Sequence, residues 1–503
     1  MIFSTKHIIL LKFESIKKNI MKRMKQLLLI VTVLVAFLST AQETKNFYAT
    51  MSLQDAKELK QDMPAGIEIL AERRNEAAVY LTPEAGHYVH EKVLVHGPGY
   101  IYKASAEDAI AAIHKDKPVI SNKMGAFTIS EDAIVNAALD LVNTQNIEDQ
   151  ILELQNYGTR YHNRASATQA AEDLKTKWET MAADAGRTDV SVRLYNHSGT
   201  NMPSVIMTIE GSEEPLEFVI VGGHLDSTSN QGNNDAPGAD DDASGISTIT
   251  EAARTLFEVG FVPARTIEFM AYAAEEIGLV GSGEIAQEYS NNGVDVISAV
   301  QFDMTNYNGS ANDISFITDH TSGTLNSFLM QLADHYNASG PHQISYSTSL
   351  CNYGCSDHAS WTNEGYMASF PFEANFGQHN PNIHTPDDTF SVSGTADHAA
   401  KFTKLCIEYL IETAKSGNLS VDEHLADTIT LIVDNGNLEY NLEATGRSFT
   451  SLRLYDMLGK TSMETSVSSN IGTVSLQNVS AGIYVASFVT ENNTLVSKKI
   501  VVK

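Results

Sequence analysis

Along the chain the apolar residues take four successive spacings, and each predicts a different kind of element. A continuous apolar run, "LLLIVTVLVAFL" (Leu27–Leu38), comes first, with Lys22, Arg23 and Lys25 before it and the small residues Ser39 and Ala41 after it. This is the layout of a secretory signal peptide over residues 1–41, cut before Gln42. A retained anchor is the alternative, but the run falls short of the roughly 20 residues that a span needs. Residues 42–130 mix short helical and strand patterns, and "HYVHEKVLVHGPGYIYKAS" (His87–Ser105) reads as their clearest strand region. From Ile129 to Glu412, helical repeats alternate with short, wholly apolar runs, which predicts an α/β domain over 131–417, built on a mixed sheet with a mostly parallel core and flanked by helices. In "SGISTITEAARTLFEVGF", Ile246, Ile249, Ala253 and Leu256 fall at helical spacing. After "KSGNLSVDE" the period drops to two, in "SLRLYDML", "GIYVASFV" and "SKKIVVK", predicting a small all-β module over 425–503.

Composition narrows the partners. Asp and Glu number 62 against 34 Lys and Arg, a formal charge of -28, which disfavours nucleic acid and anionic membrane. No stable membrane span is expected in the mature chain. The three cysteines are Cys351, Cys355 and Cys406. "CNYGC" spaces the first two for a disulfide across a turn; as soft metal ligands they lack further cysteines to complete a site. Cys406, in the helical pattern "KFTKLCIEYLIETA", reads as a buried thiol. His87, His90 and His96 are scattered in the strand-like region and read as solvated rather than as a metal site.

The chemistry concentrates at the ends of the buried strands. "LEFVIVGGHLD" delivers His224 and Asp226, "TIEFMAYAAEE" delivers Glu275 and Glu276, and "VISAVQFDMTNY" delivers Asp303. "GADDDASG" sets Asp240, Asp241 and Asp242 side by side at the threshold of a helix. In open α/β sheets the carboxyl ends of the strands form the ligand crevice, so these groups converge on one edge. The helix dipole rewards a carboxylate by only about 0.3–1 kcal/mol, enough for one aspartate and not for three. A pair of divalent cations offsets the repulsion, and mixed histidine and carboxylate donors suit zinc best, with cobalt or manganese as substitutes. Each piece alone could be a solvated loop, a charged helix start or a capping cluster; their joint occurrence at strand ends of one domain points to metal.

The segments "GGHLDST", "APGADDDASGI", "MAYAAEEIGL", "FDMTNY", "CNYGCSDHASW" and "NPNIHTPDDT" together resemble the M28 family of co-catalytic zinc aminopeptidases, above all the secreted bacterial leucyl aminopeptidases, across residues 130–415. The resemblance implies a zinc exopeptidase fold, two Zn2+ per catalytic domain, and peptide substrates with a free N-terminus. It implies that His224 and Asp303 hold one zinc, that Glu276 and His384 hold the other, and that Asp241 bridges both across a cis Asp241–Asp242 peptide. Glu275 becomes the general base toward a zinc-bridging water, Asp226 orients His224, and Tyr353 on the Cys351–Cys355 turn donates to the developing oxyanion. The specificity pocket maps onto Met304, Ile317, Phe370, Phe372, Phe376 and Ile383, which implies a preference for large apolar N-terminal residues. Phe370 stands where methionine is usual and His379 where tyrosine is usual, so Leu or Met is expected to fit better than Phe. His358 matches no family ligand and reads as buried and hydrogen-bonded. The competing readings are a single-zinc glutaminyl cyclase-like acyltransferase and a non-catalytic binding relative; the complete ligand set and Glu275 weigh against the second.

Residues 42–130 weakly resemble the propeptides of exported aminopeptidases, which assist folding or cover the active site; "HKDK" (His114–Lys117) and "ISNK" (Ile120–Lys123) are cleavage candidates. "LYDMLGK", "VSLQNVSAGIYVASFV" and "KKIVVK" resemble the sorting domain of type IX secretion, which implies the secretion machinery as a partner and a secreted or surface location reached through the periplasm. The plainer alternative is a β-sandwich that binds carbohydrate or merely extends the enzyme.

Overall fold

A computed structural model describes residues 45–92, 96–115, 127–415, 429–434, 436–445, 448–456, 461–490 and 495–502. The signal peptide and most of the cleavage candidates lie outside the described residues. The chain divides into two compact units, and Val93–Tyr102 belongs with the larger one.

In the smaller unit, strands β1 (Phe47–Ser52), β2 (Ile67–Arg73) and β3 (Glu76–Leu81) pair antiparallel, with β3 in the middle. Helices α1 (Leu53–Asp62), α2 (Pro83–Lys92) and α3 (Ala106–His114) accompany them. Ala78, Ala109 and Ile113 form its small core. The expected strand from His87 begins instead as helix α2, and among the described residues of that stretch strand structure is confined to β4 (Ile101–Lys103). The local reason is a start signal: Pro83 opens the helix, where its missing N–H costs nothing, and the Thr82 hydroxyl accepts from the Ala85 N–H at 3.2 Å.

The larger unit is built on a six-stranded sheet. Its strands are β5 (Val190–Tyr195), β6 (Ser204–Ile209), β7 (Glu214–His224), β8 (Arg265–Tyr272), β9 (Asp295–Gln301) and β12 (Ala368–Ser369), in the spatial order β12-β9-β7-β8-β6-β5. The pairs β12–β9, β9–β7 and β7–β8 are parallel, and β8–β6–β5 is antiparallel, so the sheet is mixed with a parallel core, as the unbroken apolar runs predict. All eight residues of β8 are buried, because helices cover both faces. A second sheet, β11-β10-β13, joins β10 (Ile314–Ile317), β11 (Tyr346–Ser349) and β13 (Pro371–Phe372).

The helices are α4 (Asp132–Leu139), α5 (Thr144–Gln155), α6 (Ala165–Asp184), α7 (Ala243–Glu258), α8 (Val280–Asn291), α9 (Gly323–Tyr336), α10 (His358–Asn363) and α11 (Asp397–Ala414). Ile246, Ile249, Ala253 and Leu256 all enter one core that runs from Val135 to Ala414 and includes Cys406, a free, buried thiol. Since β7, β8 and β9 are parallel, the residues that follow them emerge at one sheet edge.

The C-terminal strands are β14 (Thr430–Asp434), β15 (Asn437–Asn441), β16 (Phe449–Asp456), β17 (Thr461–Ser466), β18 (Ile471–Ser475), β19 (Gly482–Thr490) and β20 (Leu495–Val502), and they form two antiparallel sheets, β14-β15-β18 and β17-β16-β19-β20. Leu438 and Tyr440 of the first sheet share a core with Leu452, Leu454, Ala486 and Phe488 of the second, a small sandwich with its own apolar interior. Tyr440 and Tyr484 pack in this core. No helix among the described residues is long and apolar enough to cross a membrane.

Candidate metal and catalytic site

The aspartate triplet divides its labour among three carboxylates. Asp242 caps helix α7: its Oδ1 accepts the Gly245 N–H at 2.8 Å and the Met304 N–H at 3.1 Å, and its Oδ2 accepts the His224 N–H at 2.9 Å. One carboxylate thus ties the ends of β7, β9 and α7 together. Asp240 accepts the Asn306 N–H at 3.1 Å. Asp241 faces the site, and the Asp241–Asp242 peptide is cis.

Asp241 points its two oxygens at two different imidazoles. Oδ1 lies 2.9 Å from His224 Nε2, and Oδ2 lies 2.9 Å from His384 Nε2. Asp303 Oδ1 is 3.5 Å from His224 Nε2, and Glu276 Oε2 is 3.3 Å from His384 Nε2. The five residues therefore gather as two clusters sharing Asp241. Burial alone works against charge here, but the histidines outweigh it and hold Asp241 well below and Asp303 below the usual carboxylate range. Burial likewise opposes a charge on His384, yet Glu276 and Asp241 raise it to about 10. Buried imidazoles and carboxylates packed this tightly match the donor set of zinc.

Glu275 is wholly buried and neither carboxylate oxygen has a hydrogen-bond partner among the described residues. Burial, reinforced by the neighbouring Glu276 charge, pushes its carboxyl well above the ordinary value. A polar group stranded this way is costly unless something else meets it. Asp226 takes the Glu275 N–H on Oδ1 at 3.0 Å and the Glu276 N–H on Oδ2 at 3.3 Å, so it fixes the turn that bears both glutamates. His224 Nδ1 is 3.1 Å from the Asp226 carbonyl oxygen and 3.5 Å from its Oδ1.

Beside this cluster, Met304, Ile317, Phe370 and Phe372 pack with Cys351 and Cys355, and Tyr353, Phe376 and Ile383 pack against them. All six expected pocket residues meet in one place. Cys351 and Cys355 are joined by a disulfide. His379 lies 5.7 Å from the Phe372 ring and 5.8 Å from that of Phe376. His358 is buried as expected, but its ring nitrogens have no hydrogen-bond partner among the described residues; it stacks on Phe370 at 4.9 Å instead. Burial depresses it to about 3, so the flat, neutral ring serves as packing.

Several participants were not expected. Asp388 accepts the Asp240 N–H on Oδ1 at 3.2 Å, the Asp241 N–H on Oδ2 at 3.1 Å and the Asn380 amide at 3.1 Å. The buried Arg160 guanidinium donates to the carbonyls of Leu154, Leu225, Pro237 and Gly238, at distances of 2.7–3.1 Å. Ser356 donates to Asp303 Oδ2 at 2.6 Å. The largest departure is His96. It is not solvated but 1% exposed, with Nε2 3.1 Å from Asp303 Oδ1. Tyr353 hydroxyl donates to the His96 carbonyl and accepts its N–H at 3.1 Å.

Comparison with known proteins fits this geometry. The profile of peptidase family M28 matches residues 204–409, and that of a secretion system C-terminal sorting domain matches 434–503. The chain is 34% identical over 293 residues to a probable leucine aminopeptidase of Arthroderma benhamiae, covering 57% of this chain and 78% of that protein. It is 30% identical over 314 residues to a probable aminopeptidase of Saccharomyces cerevisiae, covering 61% and 80%. The crystal structure of the Legionella pneumophila LapA aminopeptidase superposes with a TM-score of 0.66 at 31% identity, over 74% of this chain and 100% of that one.

Proposed function

The chain belongs to peptidase family M28, and on that footing we propose that it removes N-terminal residues, preferably large apolar ones, with two zinc ions held through Asp241 and Glu275 moving the proton. It is a zinc-dependent aminopeptidase, secreted or displayed at the cell surface by way of its sorting domain. The observation that carries the two-ion reading is Asp241, whose oxygens lie 2.9 Å from two separate imidazoles. In this reading His224 and Asp303 complete one metal position and Glu276 and His384 the other.

Bound zinc supplies Lewis acidity at the scissile carbonyl and brings the pKa of water toward neutrality. Glu275, which spends neither oxygen on a hydrogen bond, accepts the proton of the attacking water and delivers it to the leaving amine. Asp226 keeps the Glu275–Glu276 turn in place. Tyr353 donates to the carbonyl oxygen as charge builds there, once its hydroxyl is released from His96. The ammonium of the substrate sits among the acidic ligands, so N-acetylated peptides are excluded.

The lining of Met304, Ile317, Phe370, Phe372, Phe376 and Ile383 selects the side chain. Burying a Leu side chain there is worth about 1.5–3 kcal/mol, whereas a carboxylate loses hydration with nothing in return. Mature protein recovered from the culture medium is expected to contain two zinc ions per chain. Its kcat/KM for leucine nitroanilide should exceed those for the Asp, Glu and Lys analogues by at least about tenfold, the equivalent of about 1.4 kcal/mol. One zinc per chain would favour the cyclase-like chemistry, and equal rates on Asp and Leu would overturn the pocket.

The domain division proposed is a propeptide over 42–130, the peptidase over 131–417 and the sorting module from 425. The sandwich has its own core, and the last proposed ligand is His384. A chain ending near residue 424 should therefore stay folded and active, yet remain inside its native host, measured as leucine nitroanilide hydrolysis in cell and medium fractions. Loss of activity in the purified truncated enzyme would make the module part of the catalytic structure.

A further inference from the structure

His96 sits in a turn, "HGPGY", that the chain presses against the catalytic core. Gly97 has φ +72°, and a Cβ there would lie 2.7 Å from the Cys355 carbonyl oxygen. The Tyr102 N–H donates to the Gly278 carbonyl at 2.9 Å. The imidazole lies among the residues of the apolar pocket, with its centroid 6.4 Å from Phe370 and 6.1 Å from Phe372.

The orientation of the ring is informative. Nδ1 lies 2.7 Å from the Cys355 carbonyl oxygen, which can only accept, so Nδ1 carries the hydrogen. Nε2 then faces two carboxylates, 3.1 Å from Asp303 Oδ1 and 3.6 Å from Asp241 Oδ1, where a cation seated between them would take its lone pair. His224 Nε2 approaches the same two oxygens, at 3.5 and 2.9 Å. The four ligand atoms lie within 4.8 Å of one another, and all four residues are buried. Zinc bonds of about 2.0–2.2 Å imply edges of about 3.3–3.6 Å between ligand atoms of a tetrahedron. The four nitrogen–oxygen edges, from 2.9 to 3.6 Å, bracket that range. Catalytic zinc sites keep one position open, whereas structural sites are closed by four protein ligands.

We propose that His96 is the fourth protein ligand of the metal held by His224, Asp241 and Asp303, so that the segment bearing it shuts the enzyme through the metal itself. This rests on the metal reading of the site and adds a ligand to it. The link is reciprocal: the metal holds the segment in place, and the segment holds the metal.

The test compares the uncut chain, His96→Ala and His96→Phe, each loaded with cobalt(II). His96→Phe keeps a ring against Phe370 and Phe372 but has no nitrogen, which separates ligation from packing. Three results are expected of both variants: a changed visible cobalt spectrum, at least tenfold faster loss of one of the two metals to a chelator, and at least tenfold more leucine nitroanilide hydrolysis than the uncut parent. Cobalt bound with the same spectrum and release rates in all three proteins overturns the ligand while sparing the metal site. Inhibition retained in His96→Phe with an unchanged spectrum likewise overturns it, in favour of simple packing. Failure of every form to bind cobalt would sink the metal reading on which the proposal stands.

Discussion

Glu275→Gln is expected to lower kcat by about 10²- to 10⁴-fold, the usual contribution of a positioned acid–base group, while both metals remain bound. Gln is nearly isosteric, and the substitution removes no residue assigned as a ligand. The substitution also relieves a buried carboxylate that burial and Glu276 already disfavour, so thermal stability should hold or rise. Metal analysis, a melting curve and single-turnover hydrolysis of leucine nitroanilide on mature enzyme separate these effects. Wild-type kcat in this variant would remove Glu275 from the mechanism.

Asp241→Ala should act in the opposite way, through the metals. Each of its oxygens lies 2.9 Å from a different histidine, so a single truncation strips a ligand from both positions at once. Ligands that bind only the folded state stabilise it by mass action. In the parent, a chelator should therefore lower the melting temperature; in Asp241→Ala that difference should collapse together with activity. Glu275→Gln should keep the difference intact. Two tightly held metals in Asp241→Ala would show that the carboxylate does not bridge.

The parts of the site legible in the sequence were those announced by position in the pattern. His224, Glu275, Glu276 and Asp303 each close a buried apolar run, and parallel pairing of β7, β8 and β9 delivers those ends to one edge. Three adjacent acids exceeded what one helix cap explains, and that excess pointed to cations; the structure gives the cap to Asp242 and the Asn306 N–H to Asp240. What stayed hidden depends on long-range contact with no local mark. Asp388 lies 147 residues from the Asp241 amide that it accepts, and nothing in "TPDDT" distinguishes it from Asp387. His96 looked like one of several scattered histidines, because its meaning comes from Asp303, 207 residues away. The strand expected from His87 failed locally, where Pro83 and the Thr82 hydroxyl start a helix that the alternating apolar residues mask.

The glycines at the floor of the site set its mechanical character. A Cβ on Gly223 would come within 2.8 Å of both Asp242 Oδ2 and the Phe302 carbonyl oxygen, and one on Gly245 within 2.1 Å of that same oxygen. Strand β7, helix α7 and the end of β9 therefore come backbone to backbone, with the Asp242 carboxylate lodged among them and bonded to all three. Relative sliding of these elements would have to break both main-chain contacts and the hydrogen bonds to Asp242. The spacing between His224, Asp241 and Asp303 is consequently a rigid gauge, set before any substrate arrives. With β7, α7 and β9 locked together at the reacting centre, control is left to what enters or leaves the site rather than to movement of the ligands' own elements.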